Sequence, residues 1–190
     1  ISDDTPVTDL TISRVVNDNN DYLSSFQNLV NLHLGDNITH LPSLDGKTKL
    51  ETVEGNGITI IERETFNGTT SLKTVSFPNL KTIRDWAFKD SGIKSIELPN
   101  TLDSIGSSAF CGAKLTNIVL PSSLKNVGEN AFENCEDLTS LTIKGNTSFE
   151  RNVFENCSSL SSVSLPNDLE SLGEEMFCGC SSLVEISLPH

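Results

Sequence analysis

The chain repeats one pattern of apolar and polar residues from near its start to its end. Each unit opens with an apolar residue, and successive units begin 21 to 23 residues apart, at Val7, Leu29, Leu50, Leu72, Ile93, Leu115, Leu138, Leu160 and Leu183. A fixed period of this size is typical of a solenoid, in which each unit forms one coil and buries its apolar side chains against the neighbouring coils. The sequence therefore predicts a single β-rich solenoid of about nine coils.

The opening segment of each unit is predicted to be a β-strand. Apolar and polar residues alternate at the end of the segment, as in Leu115–Leu120 and Leu138–Ile143, and a period of two is typical of a half-buried strand. Proline follows the segment in five units, at Pro78, Pro99, Pro121, Pro166 and Pro189. Because proline lacks an N–H donor, it ends the strand at a fixed point. We expect one main strand per coil, stacked as a parallel sheet.

The second half of the unit carries a phenylalanine that we expect at the centre of the coil. The pattern is clearest at Leu102-x-x-Ile105-Gly106-x-x-Ala109-Phe110. Equivalent phenylalanines lie at Phe66, Phe88, Phe110, Phe132, Phe154 and Phe177, and the first coils have Leu23 and Leu44 instead. Since equivalent residues of stacked coils lie above one another, these rings are predicted to form one internal column.

The segment Ala131-Phe132-Glu133-Asn134-Cys135 and the repeat length resemble the BspA-like leucine-rich repeats, whose units are near 23 residues and carry an A-F-x-x-C signature. The resemblance is strongest from Leu72 to Pro189, whereas the first two coils lack the glycine and the Ala-Phe pair. It implies a curved leucine-rich repeat array with the parallel sheet on its concave side. It also implies a surface or secreted protein of a host-associated microbe, often an adhesin that binds host matrix or other cells.

The whole chain is expected to form one domain. We expect residues 1–190 to be a segment of a longer surface protein, with 1–28 as an atypical first coil. The polar stretch Asn17–Asp21 is predicted to be a turn between coils, because it lacks the glycine and the final glutamate of a calcium-binding loop.

The charge of the chain argues against two classes of partner. The formal net charge is −13 and the sequence pI is about 4.5. An acidic surface repels nucleic-acid phosphates and anionic lipid head groups, so we expect neither nucleic acid nor a lipid surface as a partner. No apolar run approaches the roughly 20 residues that cross a bilayer, so membrane insertion of this segment is not expected.

The five cysteines are an odd number without a C-x-x-C pair. They are Cys111, Cys135, Cys157, Cys178 and Cys180, of which three share one repeat position three residues after the phenylalanine. Neighbouring coils would place such thiols close enough for a disulfide, although a column of reduced thiols that pack as small apolar groups is the favoured interpretation. No histidine shares the repeat phase of this column, so no metal site is predicted.

No motif in the sequence indicates catalysis. G-x-S-x-G, H-E-x-x-H and phosphate-binding glycine loops do not occur, so the chain is predicted to be no enzyme and to need no cofactor. Four N-x-S/T sequons occur at a frequency expected by chance and say nothing about glycosylation: Asn37, Asn67, Asn146 and Asn156.

Two sets of residues are candidates for binding. The first comprises the outward-facing residues of the predicted concave sheet: Asn31, His33, Thr52, Glu54, Thr74, Ser76, Ser95, Glu97, Asn117 and Val119. The second is Trp86 with Arg84, since tryptophan and arginine are enriched in binding hot spots and Trp86 takes a position that other coils fill with polar residues. The alternative for Trp86 is that its indole covers a neighbouring coil.

The sequence supports a recognition function over two others. We expect a non-enzymatic adhesion module of a secreted or cell-surface protein, whose partner is a protein or matrix component of a host or neighbouring cell. A structural spacer that displays another domain is the first alternative, because the concave face lacks aromatic and arginine residues. The second is an intracellular scaffold, which would keep five cysteines reduced.

Overall fold

The molecule is a solenoid built from short parallel strands in two layers. The computed structural model describes residues 7–14, 23 and 25–186, and these contain twelve strands, β1 to β12 in chain order. Seven form the main layer: β1 (Asp9–Ile12), β2 (Asn31–Leu34), β3 (Thr52–Gly55), β5 (Thr74–Ser76), β8 (Asn117–Leu120), β10 (Ser140–Ile143) and β12 (Ser162–Ser164). Five shorter strands form the outer layer: β4 (Ile60–Ile61), β6 (Thr82–Ile83), β7 (Ser104–Ile105), β9 (Asn126–Val127) and β11 (Ser148–Phe149).

All the strand pairs are parallel and join equivalent positions of coils. In the main layer, for example, Asn31 lies opposite Thr52 and His33 opposite Glu54. The outer strands form one continuous sheet in the order β11-β9-β7-β6-β4. The predicted solenoid with a parallel sheet is confirmed, since each coil rests on the one before it through in-register hydrogen bonds.

The main layer is interrupted, which the sequence did not predict. Its strands form two sheets, β1-β2-β3-β5 and β8-β10-β12, and residues 95–98 lie between them without pairing to either. The prediction of about nine coils is therefore wrong, because seven main strands are formed and residues 183–186 also form no strand. Alternation predicts which side chains are buried, and Ile93 and Leu98 are indeed buried. The alternation does not determine whether the backbones of neighbouring coils align closely enough to form a hydrogen-bonded ladder.

The phenylalanine column is the centre of the core. The rings from Phe66 to Phe154 are fully buried, with centroids 4.8 to 5.0 Å apart and interplanar angles of 2° to 9°. Phe177 continues the column at 5.8 Å. Small side chains such as Ala87, Ala109 and Ala131 precede three of the rings and have no exposed surface, so the predicted inward column is confirmed.

The turn around each phenylalanine contains two residues in the left-handed backbone conformation. Two residues after the ring, this position holds Gly, Asn or Asp, which adopt a positive φ at low cost. Two residues before the ring, φ lies between 52° and 60° at Glu64, Trp86, Ser108, Asn130, Asn152 and Glu175. The repeat thus imposes a left-handed residue at a position where one coil carries a tryptophan.

The cysteine position forms a second column beside the rings. Cys135, Cys157 and Cys180 are reduced, and their thiols donate to the carbonyl oxygens of Phe110, Phe132 and Phe154 at 3.1, 3.2 and 3.2 Å. The neighbouring thiol and burial together raise the pKa of Cys157. The favoured prediction of buried free thiols holds for these three, whereas Cys178 is exposed and Cys111 half-buried. The predicted turn Asn17–Asp21 lies outside the described residues.

Candidate functional site

Trp86 is half-buried in the turn after β6, under an arginine from the preceding coil. The guanidinium carbon of Arg63 lies 3.9 Å from the centroid of the indole. Together with Glu64, Asn67 and Lys89, these residues line a shallow depression of about 250 Å³, which we call the Trp86 platform. The tryptophan is neither free in solvent nor packed into the core, so part of the indole remains available to a partner.

The charges at the platform are mixed and solvent-exposed. The Nε of Arg63 lies 3.2 Å from a carboxylate oxygen of Glu64, and both side chains are about half exposed. Arg84, which the sequence placed beside Trp86 as a binding residue, instead lies 3.0 Å from Glu62 and does not line the platform. The arginine at the indole is therefore Arg63, one coil earlier in the chain.

Trp86 adopts the same left-handed conformation as its equivalents in the other coils, although it is the bulkiest residue among them. Its φ is +55°, in a region that bulky side chains rarely adopt and that costs about 1–2 kcal/mol. Asn130 and Asn152 take the same position with φ of 57° and 60°, and asparagine tolerates this conformation well. A tryptophan here is thus unfavourable for the fold of its own turn.

The outward face of the first main sheet is occupied by hydrogen bonds between coils. Asn31 donates to Asp9 at 2.6 Å and accepts from the hydroxyl of Thr52 at 2.6 Å. On the next row, Nδ1 of His33 donates to Oε1 of Glu54 at 2.7 Å. These ladders bind the polar side chains to one another, so this part of the predicted binding face offers few unpaired polar groups.

The interruption of the main layer opens a cleft of about 470 Å³, which we call the sheet-break cleft. Its lining is Ser95, Ile96, Glu97, Leu98, Pro99, Asn100, Val119, Pro121 and Lys144. Val119 stands out because 44% of this apolar side chain is exposed on a face that is otherwise polar. Three of the predicted binding residues, Ser95, Glu97 and Val119, meet in this cleft.

The remaining predicted residues lie as expected on the outward face but outside any depression described here. Thr74, Ser76 and Asn117 are exposed on β5 and β8. Sequence reasoning missed Arg63, Lys89 and Lys144. One signal was present: Lys144 replaces the proline that follows the main strand in the two preceding coils, Pro99 and Pro121. Arg63 could be assigned to Trp86 only once the coil register was known.

Two further findings concern sites that the described residues could hold. Within residues 7–14, 23 and 25–186, no three histidine, cysteine or acidic side chains are grouped so as to bind a metal ion. In the same ranges no helix has the length and apolar character needed to cross a membrane.

Comparison with known proteins gives a family and a set of similar folds. Residues 44–160 and 81–190 match the family described as BspA type Leucine rich repeat region, in six copies. No curated protein matches the chain. Among solved structures, the T. pallidum Leucine Rich Repeat protein has a TM-score of 0.71 at 26% identity, over 93% of this chain and 83% of that chain.

Two other similar structures are also leucine-rich repeat proteins of bacteria. A leucine-rich repeat protein from Bacteroides ovatus ATCC 8483 is 19% identical, with a TM-score of 0.46 over 95% of this chain and 75% of that one. A leucine rich cell surface protein from Faecalibacterium prausnitzii A2-165 is 17% identical, with a TM-score of 0.40 over 97% of this chain and 71% of that one.

Proposed function

Because the chain belongs to the BspA-type leucine-rich repeat family, we propose that it is a non-enzymatic adhesion module of a secreted or cell-surface protein. Its partner is a protein or matrix component of a host or neighbouring cell. Leucine-rich repeat arrays are protein-interaction modules, and a solenoid offers an extended surface without the deep pocket that catalysis needs. Proteins of this family are commonly surface or secreted, which supports an extracellular location.

The single observation that carries the proposal is the conformation of Trp86. Trp86 places a large aromatic side chain at a left-handed position. At the equivalent position of two other coils stand Asn130 and Asn152, and asparagine adopts this conformation with little strain. Trp86 is only partly buried, unlike the fully buried phenylalanine column, so core packing alone does not account for the cost. Strained residues cluster at functional sites, and tryptophan and arginine are both enriched at binding hot spots.

The net charge of the chain favours contact with the partner at the Trp86 platform over contact elsewhere on the surface. With a formal net charge of −13, most of the molecule repels acidic surfaces. The platform combines Arg63 and Lys89 with an aromatic ring, which can bury apolar area while its rim makes exposed polar contacts. We therefore place the principal contact with the partner at the Trp86 platform.

A binding assay with a matched variant tests the proposal. The purified chain is applied to intact epithelial cells and to an immobilised basement-membrane extract, beside Trp86→Asn and Ser108→Asn. Both variants place asparagine at the same left-handed position, in successive coils, and only the first removes the indole. We expect saturable binding that Ser108→Asn retains and Trp86→Asn weakens at least tenfold, as loss of a hot-spot tryptophan does.

The opposite outcomes are equally informative. Saturable binding that Trp86→Asn leaves unchanged would move the contact away from the platform. Absence of binding to both probes would contradict the adhesion proposal and favour a spacer, a function consistent with the hydrogen-bonded ladders of Asp9, Asn31 and Thr52 on the first main sheet.

A further inference from the structure

Residues 95–98 of the fifth coil lack the backbone hydrogen bonds that the equivalent segments of the flanking coils make. Elsewhere in the main layer, adjacent coils are joined by ladders such as that between β8 and β10. Within the described residues, the N–H and C=O groups of residues 95–98 form no backbone hydrogen bond. Just before them, the carbonyl oxygen of Lys94 accepts a hydrogen bond from the N–H of Thr116 at 2.9 Å. Unpaired backbone groups in a sheet are costly unless water or a ligand satisfies them. Residues 95–98 are therefore the part of the main layer whose backbone is least engaged by the neighbouring coils.

The cleft beside this backbone has an apolar centre and one charge at each end. Val119, half exposed, lies between Glu97 on the preceding coil and Lys144 on the following one. Both charged side chains belong to exposed residues. Six ion pairs join the described residues, and neither Glu97 nor Lys144 takes part in any of them. Two opposite charges thus face the same cleft without a partner.

The spacing of these groups matches an extended peptide. Glu97 and Lys144 are two coils apart and differ by two residues along the strand direction, which corresponds to about 12 Å at roughly 4.8 Å per coil and 3.3 Å per residue. In an extended chain, side chains at positions i and i+4 point to one side and are about 13 Å apart. The side chain at i+2 would then lie over Val119.

We propose that the sheet-break cleft docks an extended segment of a partner protein with a basic side chain for Glu97, an aliphatic one over Val119 and an acidic one for Lys144. The line from Glu97 to Lys144 crosses the coils obliquely, so the segment is recognised through its side chains and not through strand pairing with residues 95–98. The inference rests on the proposed function only in taking the partner to be a protein. The cleft shares no residue with the Trp86 platform.

Three short peptides test the charge pattern. They are the blocked sequences Gly-Lys-Ser-Val-Ser-Glu-Gly, Gly-Lys-Ser-Val-Ser-Lys-Gly and Gly-Glu-Ser-Val-Ser-Glu-Gly, titrated into the ¹⁵N-labelled chain and followed by amide chemical shifts. We expect the mixed peptide to bind most tightly and to shift the amides of residues 95–98 and Val119. Because each exposed ion pair is worth 0.2–1 kcal/mol, each mismatched charge should weaken binding by up to about fivefold.

Two charge reversals should exchange the preference in opposite directions. Glu97→Lys makes both ends of the cleft basic, so it should bind the doubly acidic peptide best. Lys144→Glu makes both ends acidic, so it should bind the doubly basic peptide best. Both residues are exposed, so the variants should fold, and their amide spectra check that they do. A variant that merely weakened binding in general would lower the affinities for all three peptides together and would not change which peptide binds best.

The result that would overturn the proposal is equally defined. If no peptide shifts the amides of the cleft, or if the preferences ignore both reversals, the cleft is not a docking site. Trp86→Asn should leave peptide binding unchanged, because the indole lies outside the cleft. Peptide binding without cell adhesion would therefore contradict the proposed function alone, and adhesion without peptide binding would contradict this inference alone.

Discussion

The guanidinium of Arg63 covers the indole of Trp86 at 3.9 Å although the two residues belong to different coils. The tryptophan makes this contact at a φ of +55°, the left-handed conformation that the repeat imposes on the equivalent residues of the other coils. An exposed cation–π pair is worth about 0.5–1 kcal/mol, and the left-handed conformation costs a bulky residue about 1–2 kcal/mol. The two terms nearly cancel, so the fold gains little from the tryptophan.

Trp86→Asn should therefore leave stability almost unchanged. Asparagine relieves the backbone as Asn130 shows, while the cation–π contact is lost, and we expect a net change within about 1 kcal/mol. Thermal unfolding should show a shift of no more than about 2–4 °C. A loss of 3 kcal/mol or more would mean that the indole is a core residue, and the argument from strain would fail.

Phe110→Ala should be among the most destabilising changes in the chain. The ring is fully buried and stacks on Phe88 at 4.9 Å and on Phe132 at 5.0 Å. Removing a buried phenylalanine costs about 3–5 kcal/mol. Denaturant unfolding measures this, with Val119→Ala as the control, because that side chain is exposed and should change stability by no more than about 0.5 kcal/mol. Equal midpoints for the two variants would contradict the inward column.

The phenylalanine column shows what the sequence could predict, and the sheet break shows what it could not. The period places Phe88, Phe110 and Phe132 above one another, because each coil must bury the same face. Residues 95–98 alternate apolar and polar residues as the paired segments do, so no residue pattern predicts that they stay unpaired. The connection before this segment, from Phe88 to Ile93, is one residue shorter than that of the preceding coil, but the connection from Phe110 to Leu115 is equally short and β8 forms after it, so connection length does not explain the break.

The same contrast holds for the candidate sites. An unusual tryptophan was visible in the sequence, whereas its arginine was assigned to Arg84 on sequence proximity. Side chains two residues apart need not meet in a turn, and Arg84 is held by Glu62 at 3.0 Å. The contact with Arg63 is set by stacking of coils 23 residues apart, so it required the structure.

Lys47→Met should loosen the first coils selectively. The buried ammonium donates to the carbonyl oxygens of Leu23 at 2.9 Å and Phe26 at 3.3 Å. Hydrogen bonds to a charged group contribute about 1.5–3 kcal/mol, so we expect a loss of that order. Hydrogen exchange should speed up most in residues 25–34. The control is Lys49→Met, an exposed lysine that reaches only Asn28, and comparable exchange in both variants would count against the role of Lys47.

The thiols should differ in reactivity in an order fixed by their surroundings. Exposed Cys178 should react with iodoacetamide in the native protein, whereas Cys135 and Cys157 should react only after unfolding. Burial, with the nearby carboxylates of Glu133 and Asp90, raises the pKa of Cys111 from 9.0 to about 11. Its thiolate is scarce at neutral pH, so alkylation of Cys111 should accelerate only as the pH approaches 11.

The same shift predicts a loss of stability at alkaline pH. Between pH 9 and about 11 the unfolded chain releases the proton of Cys111 while the folded chain keeps it, so stability falls as the pH rises. Replacing Cys111 by serine should reduce the slope of unfolding free energy against pH in this window. An identical slope, or rapid alkylation of Cys111 at pH 7.5, would show that the thiol is not held in its protonated form.

Ser91→Ala should stabilise the protein, in contrast to a similar change at the equivalent position of the preceding coil. Ser91 is 1% exposed, and its hydroxyl has no hydrogen-bond partner, at a position where Ala113 fits the next coil. An unsatisfied buried hydroxyl costs about 1–3 kcal/mol, so its removal should raise the free energy of unfolding by about 1 kcal/mol or more. The midpoint of denaturant unfolding should rise at constant slope.

Thr69→Val supplies the matched control from the preceding coil. Thr69 is fully buried at the equivalent position, but its hydroxyl donates to the carbonyl oxygen of Phe66 at 2.7 Å. Replacing this hydroxyl by a methyl group removes a satisfied hydrogen bond, so stability should fall by about 0.5–1.5 kcal/mol. If the two substitutions change the free energy of unfolding in opposite directions, the hydrogen bond of the buried hydroxyl, and not burial alone, decides which residue is stable in this column. Changes in the same direction would refute that explanation.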